Sequence, residues 1–410
     1  MSSFRLSKNI STKKSFNSDP IWEIEANGEH NLENSAKEKV LFVTNKLFVD
    51  ESKPEGGVRL CTYDFINLLK CRYEVVIYSL EFNRTLTYRI KAKIGLDVYE
   101  DYDLNKYATL LKDKIAKHSI QKVFINLSNA TAISKVIKKH NGENVKVILC
   151  SHGNESGDFL HQTVRFSQYM APLPRFFSAW RLGRVLQKEV EFRTRYLDMV
   201  LNVSPIEESI EKWLGVNETY MVPRVYAPDF INWNPTEGKI GFLSDLSHYP
   251  NYNGLLQLCK ALAAAKPSKS VQIRVVGKRG RNLDNLMSQY DFISPTGYLT
   301  DDELKVEAAS WMYYLNLVFY YSKGVSTKLA KGMNWGLPVL STEAGNRGYV
   351  FKNGGVVTCD SPSHMAEVIV NRAFDKGAAC KDRAEVIKAV EAYADMNEVM
   401  IELYPKIENL

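Results

Sequence analysis

Short, nearly continuous apolar runs alternate along the chain with segments whose apolar residues have helical spacing. The first run, KVLFVTN at Lys39 to Asn45, ends in turn residues. A strand buried on both faces of a parallel sheet has this appearance. The alternation continues through VRLCTYDFINLLK, YEVVIYSL, KYATLLKDKIAKH, KVFINLS, ATAISKVIKKH, VKVILCSH, a long helical segment at 166–196, and MVLNVS. Strands and helices at this interval predict βαβ units and a doubly wound sheet.

A second series of the same kind begins near Lys239, after a segment rich in Pro and Asn at 222–234. Its predicted strands are KIGFLSD, VQIRVVGK, FISPTGYL, MYYLNLVFYYS, LPVLST and GGVVTCD. Its predicted helices are GLLQLCKALAAAK, NLDNLMSQY, DDELKVEAASW and STKLAKGMNWG. The chain is therefore predicted to be an α/β protein with two Rossmann-like halves. This layout alone does not fix the chemistry, because many functions use it.

The same pattern predicts the domain boundaries. We expect Rossmann-like domains at 38–223 and 224–385. An extension at 1–37 precedes them; it has no hydrophobic period and is expected to be poorly ordered. The tail at 386–410 has helical spacing with an interruption at 393–397. It predicts either a helix that packs back toward the first domain or a helix that packs on its own domain.

Composition narrows the class of protein. The chain has 410 residues, of which 45% are hydrophobic and 24% charged, as is typical of a globular protein in water. No apolar run reaches the roughly 18 residues that cross a bilayer, and the polar, basic N-terminus lacks the apolar core of a secretory signal. The six cysteines share no metal-ligand spacing, and several lie in apolar runs. We therefore expect a cytoplasmic protein with reduced thiols and no metal site.

Cations and aromatic side chains interleave between residues 165 and 196. On one helix they can rest on an anionic membrane face, but a solvated cationic face over core aromatics explains the pattern as well. The net charge of +6 is mild, and no nucleic-acid recognition motif accompanies it, so no nucleic-acid partner is predicted. The residues concerned are Arg165, Arg175, Arg181, Arg184, Lys188, Arg193, Arg195, Phe176, Phe177, Trp180 and Phe192.

Two segments at predicted carboxyl ends of strands carry glycine or a histidine, where ligands bind in open α/β sheets. Gly56 and Gly57, followed by Arg59, allow the backbone to approach a phosphate or sugar, although a plain loop turn also explains them. His152 follows VKVILC and can donate to a sugar hydroxyl or assist proton transfer, although a structural histidine fits equally. Neither G-x-G-x-x-G nor a P-loop motif is present, which argues against a dinucleotide site and a P-loop.

A third segment, SKGVSTKL, follows an apolar strand and opens a helix. The N–H groups of a first helical turn, together with hydroxyls and an ammonium group, form an anion site suited to a diphosphate. Helix capping alone would account for the hydroxyls but not for the two lysines and the glycine. The residues are Lys323, Gly324, Val325, Ser326, Thr327, Lys328 and Leu329.

The segment GVSTKLAKGMNWGLPVLSTEAGNRGY, Gly324 to Tyr349, resembles the donor-site signature of family 4 (group 1) GT-B glycosyltransferases. The usual form is G-V-x-T-K-L-x-E-A-x-A-x-G-L-P-V-V-x-T-x-x-G-x-R-G. KVLFVTNKLFVDESKPEGGVRLCTYDFINLL, RYLDMVLNVSPIEESIEKWL and GFLSDLSHYPNYNGLLQL resemble the family's other segments. The matching positions of the signature are Gly324, Val325, Thr327, Lys328, Leu329, Gly336, Leu337, Pro338, Val339, Thr342, Gly345, Arg347 and Gly348.

This resemblance implies a GT-B fold, in which two Rossmann-like doubly wound domains face a central cleft. It implies transfer of a hexosyl or deoxyhexosyl group, generally with retention and without a required metal or other cofactor. The donor would be a UDP-, GDP- or dTDP-sugar on the second domain. The acceptor would be a saccharide or lipid-linked saccharide on the first, in surface polysaccharide or glycolipid biosynthesis. Residues 165–196 would then allow peripheral contact with the inner face of the membrane.

The resemblance also implies roles for individual residues. The diphosphate would meet the turn at 324–329 and the loop carrying Gly56 and Gly57, with Arg59 and Arg347 beside it. His152 matches the position of a histidine beside the donor sugar. The nucleotide base would lie near Gly277, Lys278 and Tyr298.

One departure concerns two glutamates that the family usually carries eight positions apart, one for the donor sugar and one for the ribose. Here the positions are Lys323 and Lys331, and a lysine cannot accept a hydrogen bond from a sugar hydroxyl. Three explanations stay open: Glu343 or Glu155 supplies a carboxylate, the donor or acceptor is more anionic than usual, or activity has been lost. The alternative function is therefore a catalytically weak GT-B protein that binds nucleotide-sugar or glycan as a partner subunit.

Overall fold

Two six-stranded parallel sheets organise the chain in the computed structural model, which describes residues 37–50, 56–160, 172–225, 228–319 and 324–410. The first sheet has the strand order β2-β1-β3-β4-β5-β6, and every neighbouring pair is parallel. Its strands are β1 (Lys39–Asn45), β2 (Glu74–Leu80), β3 (Lys122–Asn126), β4 (Lys146–Cys150), β5 (Met199–Asn202) and β6 (Glu218–Met221). Its helices are α1 (Gly57–Lys70), α2 (Leu86–Lys93), α3 (Leu104–Lys117), α4 (Ile133–Asn141), α5 (Pro172–Arg195) and α6 (Pro205–Trp213).

The second sheet has the order β12-β11-β10-β7-β8-β9. Its strands are β7 (Thr236–Leu243), β8 (Gln272–Val276), β9 (Ile293–Gly297), β10 (Trp311–Asn316), β11 (Val339–Thr342) and β12 (Val357–Cys359). The helices that follow are α7 (Tyr249–Ala265), α8 (Arg281–Met287), α9 (Asp301–Ala309), α10 (Thr327–Asn334), α11 (Pro362–Arg372), α12 (Lys376–Glu391) and α13 (Met396–Glu408).

Both sheets are buried on two faces, which explains their continuous apolar runs. In β1, Val40 and Phe42 pack into one core cluster, whereas Leu41 and Val43 pack into another. Successive side chains of a strand point to opposite faces, so helices must cover both sides of the sheet. The predicted alternation of strands and helices is therefore confirmed. The six cysteines are free thiols, and Cys61, Cys150, Cys259 and Cys359 are buried.

The C-terminal tail divides between the two sheets. Helix α12 packs with the second sheet through Val386 and Val390, so the predicted boundary at residue 386 falls inside this helix. Helix α13 instead packs on the first sheet, where Leu403 and Ile407 join the cluster that contains Phe42. Residues 38–410 form one compact unit, whereas residues 1–36 of the predicted extension lie outside the described residues.

One hydrogen bond provides a test of the α13 contact. The Tyr404 hydroxyl donates to the backbone oxygen of Leu68 in α1, 2.5 Å away. Tyr404→Phe is expected to lower the free energy of unfolding by about 1 kcal/mol, because it removes one partly buried hydrogen bond. Chemical denaturation measures the change. The matched control is Tyr220→Phe, which removes an exposed bond to Glu402 of the same helix and should cost less than about 0.5 kcal/mol. Equal losses for both variants would contradict this role of Tyr404.

Candidate functional site

The N-termini of two helices lie side by side, and each helix follows a strand of a different sheet. Helix α1 begins at Gly57 beyond the end of β1, and α10 begins at Thr327 beyond the end of β10. A β-carbon on Gly57 would lie 2.8 Å from Oγ1 of Thr327, so only glycine allows this approach without a shift. The partial positive charges of both helix ends therefore lie next to each other, an arrangement that favours an anion.

The turn before α10 is held against the first sheet. Gly324 has φ +65°, a conformation that glycine adopts readily, and a β-carbon there would lie 2.5 Å from the backbone oxygen of His152. Its N–H donates to Oε1 of Glu207, 2.8 Å away. The segment that carries His152 and the segment that carries Gly324 are far apart in the sequence, and the fold brings them into contact.

Ser326 is the N-cap of α10. Its Oγ accepts a hydrogen bond from the backbone N–H of Leu329 at 3.2 Å and donates to Oδ1 of Asn316 at 2.8 Å. The hydroxyl is therefore engaged within the protein, and the capping explanation accounts for this residue. Asn316 in turn donates to Oγ of Ser341 and to the backbone oxygen of Gly345. The amide of Asn316 connects the α10 turn to the loop that carries Arg347.

Lys328 is the cation of this turn. Its ammonium donates to Oδ1 of Asn251 in the first turn of α7, and lies 5.6 Å from the centre of the Phe242 ring. Desolvation lowers the pKa of Lys328 to about 8, and the positive charge of Arg347 adds to the effect. The Arg347 guanidinium donates to the backbone oxygen of Ala344 at 2.9 Å. An anion placed here would relieve the repulsion between the two cations.

This lowered pKa predicts a pH dependence. A diphosphate favours the protonated ammonium, so binding should raise the pKa of Lys328 above about 8. Nucleoside diphosphate affinity should therefore be nearly constant around pH 7 and fall, by up to about tenfold per pH unit, above pH 8. Titration calorimetry across this range measures it. Lys328→Arg keeps its charge throughout and should remove the decline. A decline that survives in Lys328→Arg would assign it to another group.

The orientation of His152 follows from three hydrogen bonds. The Thr62 hydroxyl donates to the backbone oxygen of Val58 at 2.8 Å, so it can only accept from Nδ2 of Asn126, also 2.8 Å away. Oδ1 of Asn126 must then face His152, whose Nε2 lies 2.9 Å from it. Nε2 of His152 therefore carries a proton and donates it. Nδ1 is left as the acceptor of the neutral ring.

The residues predicted for the base region lie at neighbouring strand ends. Gly277 follows β8, and its N–H donates to the backbone oxygen of Gly297, the last residue of β9, at 3.0 Å. Lys278 and Tyr298 follow directly and are exposed. All four residues occupy the carboxyl edge of the second sheet, as does the α10 turn.

The predicted carboxylates and substituted lysines have different surroundings. Lys323 lies outside the described residues. Lys331 is 3.3 Å from the Asp301 carboxylate in the first turn of α9. Glu343 is exposed in the turn after β11, and Glu155 is partly buried. Desolvation raises the pKa of the Asp101 carboxyl, and the negative charge of Glu155 adds to this shift.

Glu207 is a carboxylate that the sequence pattern did not reveal. It is buried in α6, and burial raises its pKa, although the N–H of Gly324 opposes this change. One turn later Glu211 forms a fully buried bidentate pair with Arg193, at 2.7 Å, which fixes α6 against α5. Glu207 lies three residues after the N-cap Ser204, which is the spacing of a capping box. From the sequence alone it therefore resembles a local helix cap, and its contact with Gly324 gives no signal.

Residues 237–373 match the family model described as Glycosyl transferases group 1. The chain carries a group 1 glycosyltransferase domain. This group 1 domain contains the α10 turn, Lys328 and Arg347. The predicted resemblance is confirmed at this level, whereas membership of family 4 stays a prediction. No curated protein matches the chain in sequence.

Solved structures that match at least 90% of this chain identify the fold to which the group 1 domain belongs. HepE from Anabaena, in complex with UDP and glucose, is 15% identical and covers 91% of this chain and 100% of its own, with a TM-score of 0.60. Sucrose-phosphate synthase from Thermosynechococcus elongatus is 13% identical over 91% of this chain and 99% of its own, with a TM-score of 0.65. The lipopolysaccharide outer core galactosyltransferase WaaB is 12% identical over 90% and 99%, with a TM-score of 0.56. The predicted GT-B fold is confirmed.

Proposed function

We propose that this protein transfers a hexosyl or deoxyhexosyl group from a nucleotide-sugar to a saccharide or lipid-linked saccharide. The observation that carries the proposal is the contact between the first turns of α1 and α10, with Lys328 and Arg347 beside them. Two helix N-termini and two cations suit a diphosphate. HepE, of the same fold, has been solved with UDP-glucose, which supports a nucleotide-sugar as donor.

Residues 224–385 are the proposed donor domain and 38–223 the proposed acceptor domain. The nucleotide, a UDP, GDP or dTDP group, would have its base near Gly277, Lys278 and Tyr298. His152 would face the donor sugar, and transfer would proceed with retention and without a required metal. Among the described residues, no three His, Cys, Asp or Glu side chains gather as a metal site.

Carboxylates from other elements support a rearranged donor site over a lost one. Glu207 binds the backbone beside position 323, and Asp301 lies next to Lys331. Of the two substituted positions the structure describes Lys331, which has the Asp301 carboxylate 3.3 Å away. Glu207 and Asp301 therefore join Glu155 and Glu343 as proposed carboxylates of the donor site.

Thermal shift with a panel of UDP, GDP, dTDP and their sugars tests the proposal. A ligand that binds the folded state raises the melting temperature in proportion to the logarithm of its concentration over Kd. We expect stabilisation by one base and slow hydrolysis of the matching nucleotide-sugar. No stabilisation by any nucleoside diphosphate would overturn the enzyme and the binding module alike.

The alternative is a catalytically weak partner subunit. Lys323 and Lys331 favour it, because neither can accept a hydrogen bond from a sugar or ribose hydroxyl. Stabilisation by a nucleotide-sugar without hydrolysis or transfer to any acceptor would select it.

We further propose a cytoplasmic location at the inner face of the membrane, in surface polysaccharide or glycolipid biosynthesis. WaaB acts on lipopolysaccharide outer core, which supports a lipid-linked acceptor. Within the described ranges, no helix is both long and apolar enough to span a bilayer. The contact that we propose through 165–196 is peripheral. Phe176, Phe177 and Trp180 of this segment are exposed, while Arg165 lies outside the described residues.

A further inference from the structure

Helix α2 has an apolar stripe that faces outward. Leu86 is 73% exposed, Ile90 54% and Ile94 63%. Residues four apart lie on one face of a helix, so the three side chains, including Ile94 at the C-cap, form a continuous line. In a helix of a globular domain, such a line normally faces the core. In α2 the line of apolar side chains instead faces solvent.

The charged side chains of α2 itself have one sign. Helix α2 contains no acidic residue, and exposed Arg84, Arg89 and Lys93 flank the apolar line. Three neighbouring carboxylates are ion-paired, and a fourth, Asp101, accepts a hydrogen bond from the Tyr88 hydroxyl of α2. These pairs are Glu81 with Lys106, Glu100 with Lys91, and Asp97 with Arg181. An exposed apolar face with cations beside it is typical of a helix that lies in a membrane interface.

The first turns of α5 adjoin the end of α2. The Arg181 guanidinium is 3.0 Å from the Asp97 carboxylate and would lie 3.2 Å from a β-carbon on Gly95, directly after α2. Three aromatic residues that precede Arg181 on α5 are exposed: Phe176 by 63%, Phe177 by 57% and Trp180 by 40%. The Arg184 guanidinium lies 5.1 Å from the Trp180 ring centre. Both helices therefore contribute apolar side chains and cations to one surface.

This two-helix surface, α2 with the first turns of α5, adjoins the edge of the sheet that carries His152. Helix α2 follows the carboxyl end of β2 after five residues, 81–85, and α5 follows that of β4. We propose that the two-helix surface docks on an anionic lipid bilayer. The proposal rests on the membrane contact proposed above and adds α2 as a second, independent element. Docking would hold the acceptor edge of the first sheet at the lipid headgroups.

Vesicle flotation of the full chain, with phosphatidylglycerol–phosphatidylcholine vesicles and pure phosphatidylcholine vesicles, tests the proposal. We expect binding to the anionic vesicles that weakens with salt, and little binding to the neutral ones. Ile90→Glu should lower the affinity for anionic vesicles by about tenfold or more, because it removes apolar burial and adds repulsion. Arg89→Gln with Lys93→Gln should weaken binding without altering the apolar stripe.

The matched control is Ile401→Glu. Ile401 is 73% exposed on α13 and Ile90 is 54% exposed on α2, so the control introduces the same charge in place of the same residue at a position that is at least as exposed. It should leave vesicle binding unchanged. No vesicle binding, equal binding to neutral vesicles, or equal loss in both glutamate variants would overturn the proposal. So would self-association, seen by sedimentation velocity, that Ile90→Glu abolishes in the absence of vesicle binding.

Vesicle binding and nucleotide binding are measured separately. Lys328→Ala should float with anionic vesicles as the unchanged chain does, because Lys328 lies on α10 and is not part of the two-helix surface. Stabilisation by nucleotide without flotation would overturn the docking surface alone. Flotation without nucleotide stabilisation would overturn the proposed function alone.

Discussion

Lys328→Ala is expected to weaken nucleoside diphosphate binding by about 10- to 100-fold. A hydrogen bond to a charged group contributes about 1.5–3 kcal/mol, and the ammonium is held at the α10 N-terminus by Asn251. Loss of the side chain also removes a cation whose repulsion with Arg347 the ligand would relieve. Titration calorimetry at pH 7 with the nucleotide found by thermal shift measures the change.

Lys331→Ala is the matched control for this variant. Lys331 lies one turn later on α10, but its ammonium is paired with Asp301 and stacked on the Trp335 ring, 5.0 Å from its centre. Lys331→Ala should therefore change affinity for the diphosphate by less than about threefold, because the charge of Lys331 is already paired with a carboxylate. Equal losses in both variants would show a general effect of positive charge and remove the specific role of Lys328.

Much of the fold could be predicted from the sequence, because strands that are buried on both faces need continuous runs of apolar residues. Helix α2 was missed for the opposite reason, since its apolar residues are exposed and no core pattern includes them. Strand β6 and helix α11 were also missed. Strand β6 has four residues and is half-exposed, so its pattern is short and weak.

The candidate site divides in the same way. The α10 turn could be found because a local run of glycine, threonine and lysine carries its chemistry. Glu207 could not be, since 117 residues separate it from Gly324, and only the packing of the two sheets joins them. Asn126 and Asn316 were equally hidden. A single strand-ending asparagine has no periodicity, and its partners come from other strands and helices.

These two asparagines have corresponding positions. Asn126 ends β3 and Asn316 ends β10, and each is fully buried. Each side-chain amide also contacts a residue of the candidate site. Asn126 contacts His152, and Asn316 contacts Ser326. A buried amide that satisfies several partners fixes loop geometry more firmly than a loop's own backbone does. Both sheets thus use the same means to hold their half of the cleft.

Asn126→Leu is expected to lower turnover by about 100-fold and leave nucleoside diphosphate affinity within about twofold. The variant removes the acceptor that Nε2 of His152 faces, and a misplaced general acid–base group loses about two to four orders of magnitude. The proposed diphosphate contacts lie at the first turns of α1 and α10, whereas Asn126 contacts α1 one turn later, at Thr62. Hydrolysis of the matching nucleotide-sugar measures turnover, and calorimetry measures affinity.

Two further variants separate the orientation of His152 from the stability of the sheet. Asn202→Leu changes another fully buried asparagine at the end of a strand of the first sheet, whose Nδ2 reaches only the backbone of Val200 at 3.5 Å. It introduces the same leucine at a buried strand end of the same sheet without touching His152, and should retain turnover. Asn126→Asp keeps an oxygen acceptor toward Nε2 and should restore most of the activity that Asn126→Leu loses. If Asn202→Leu reduced turnover as much as Asn126→Leu, the effect would belong to the sheet and His152 would lose its proposed role.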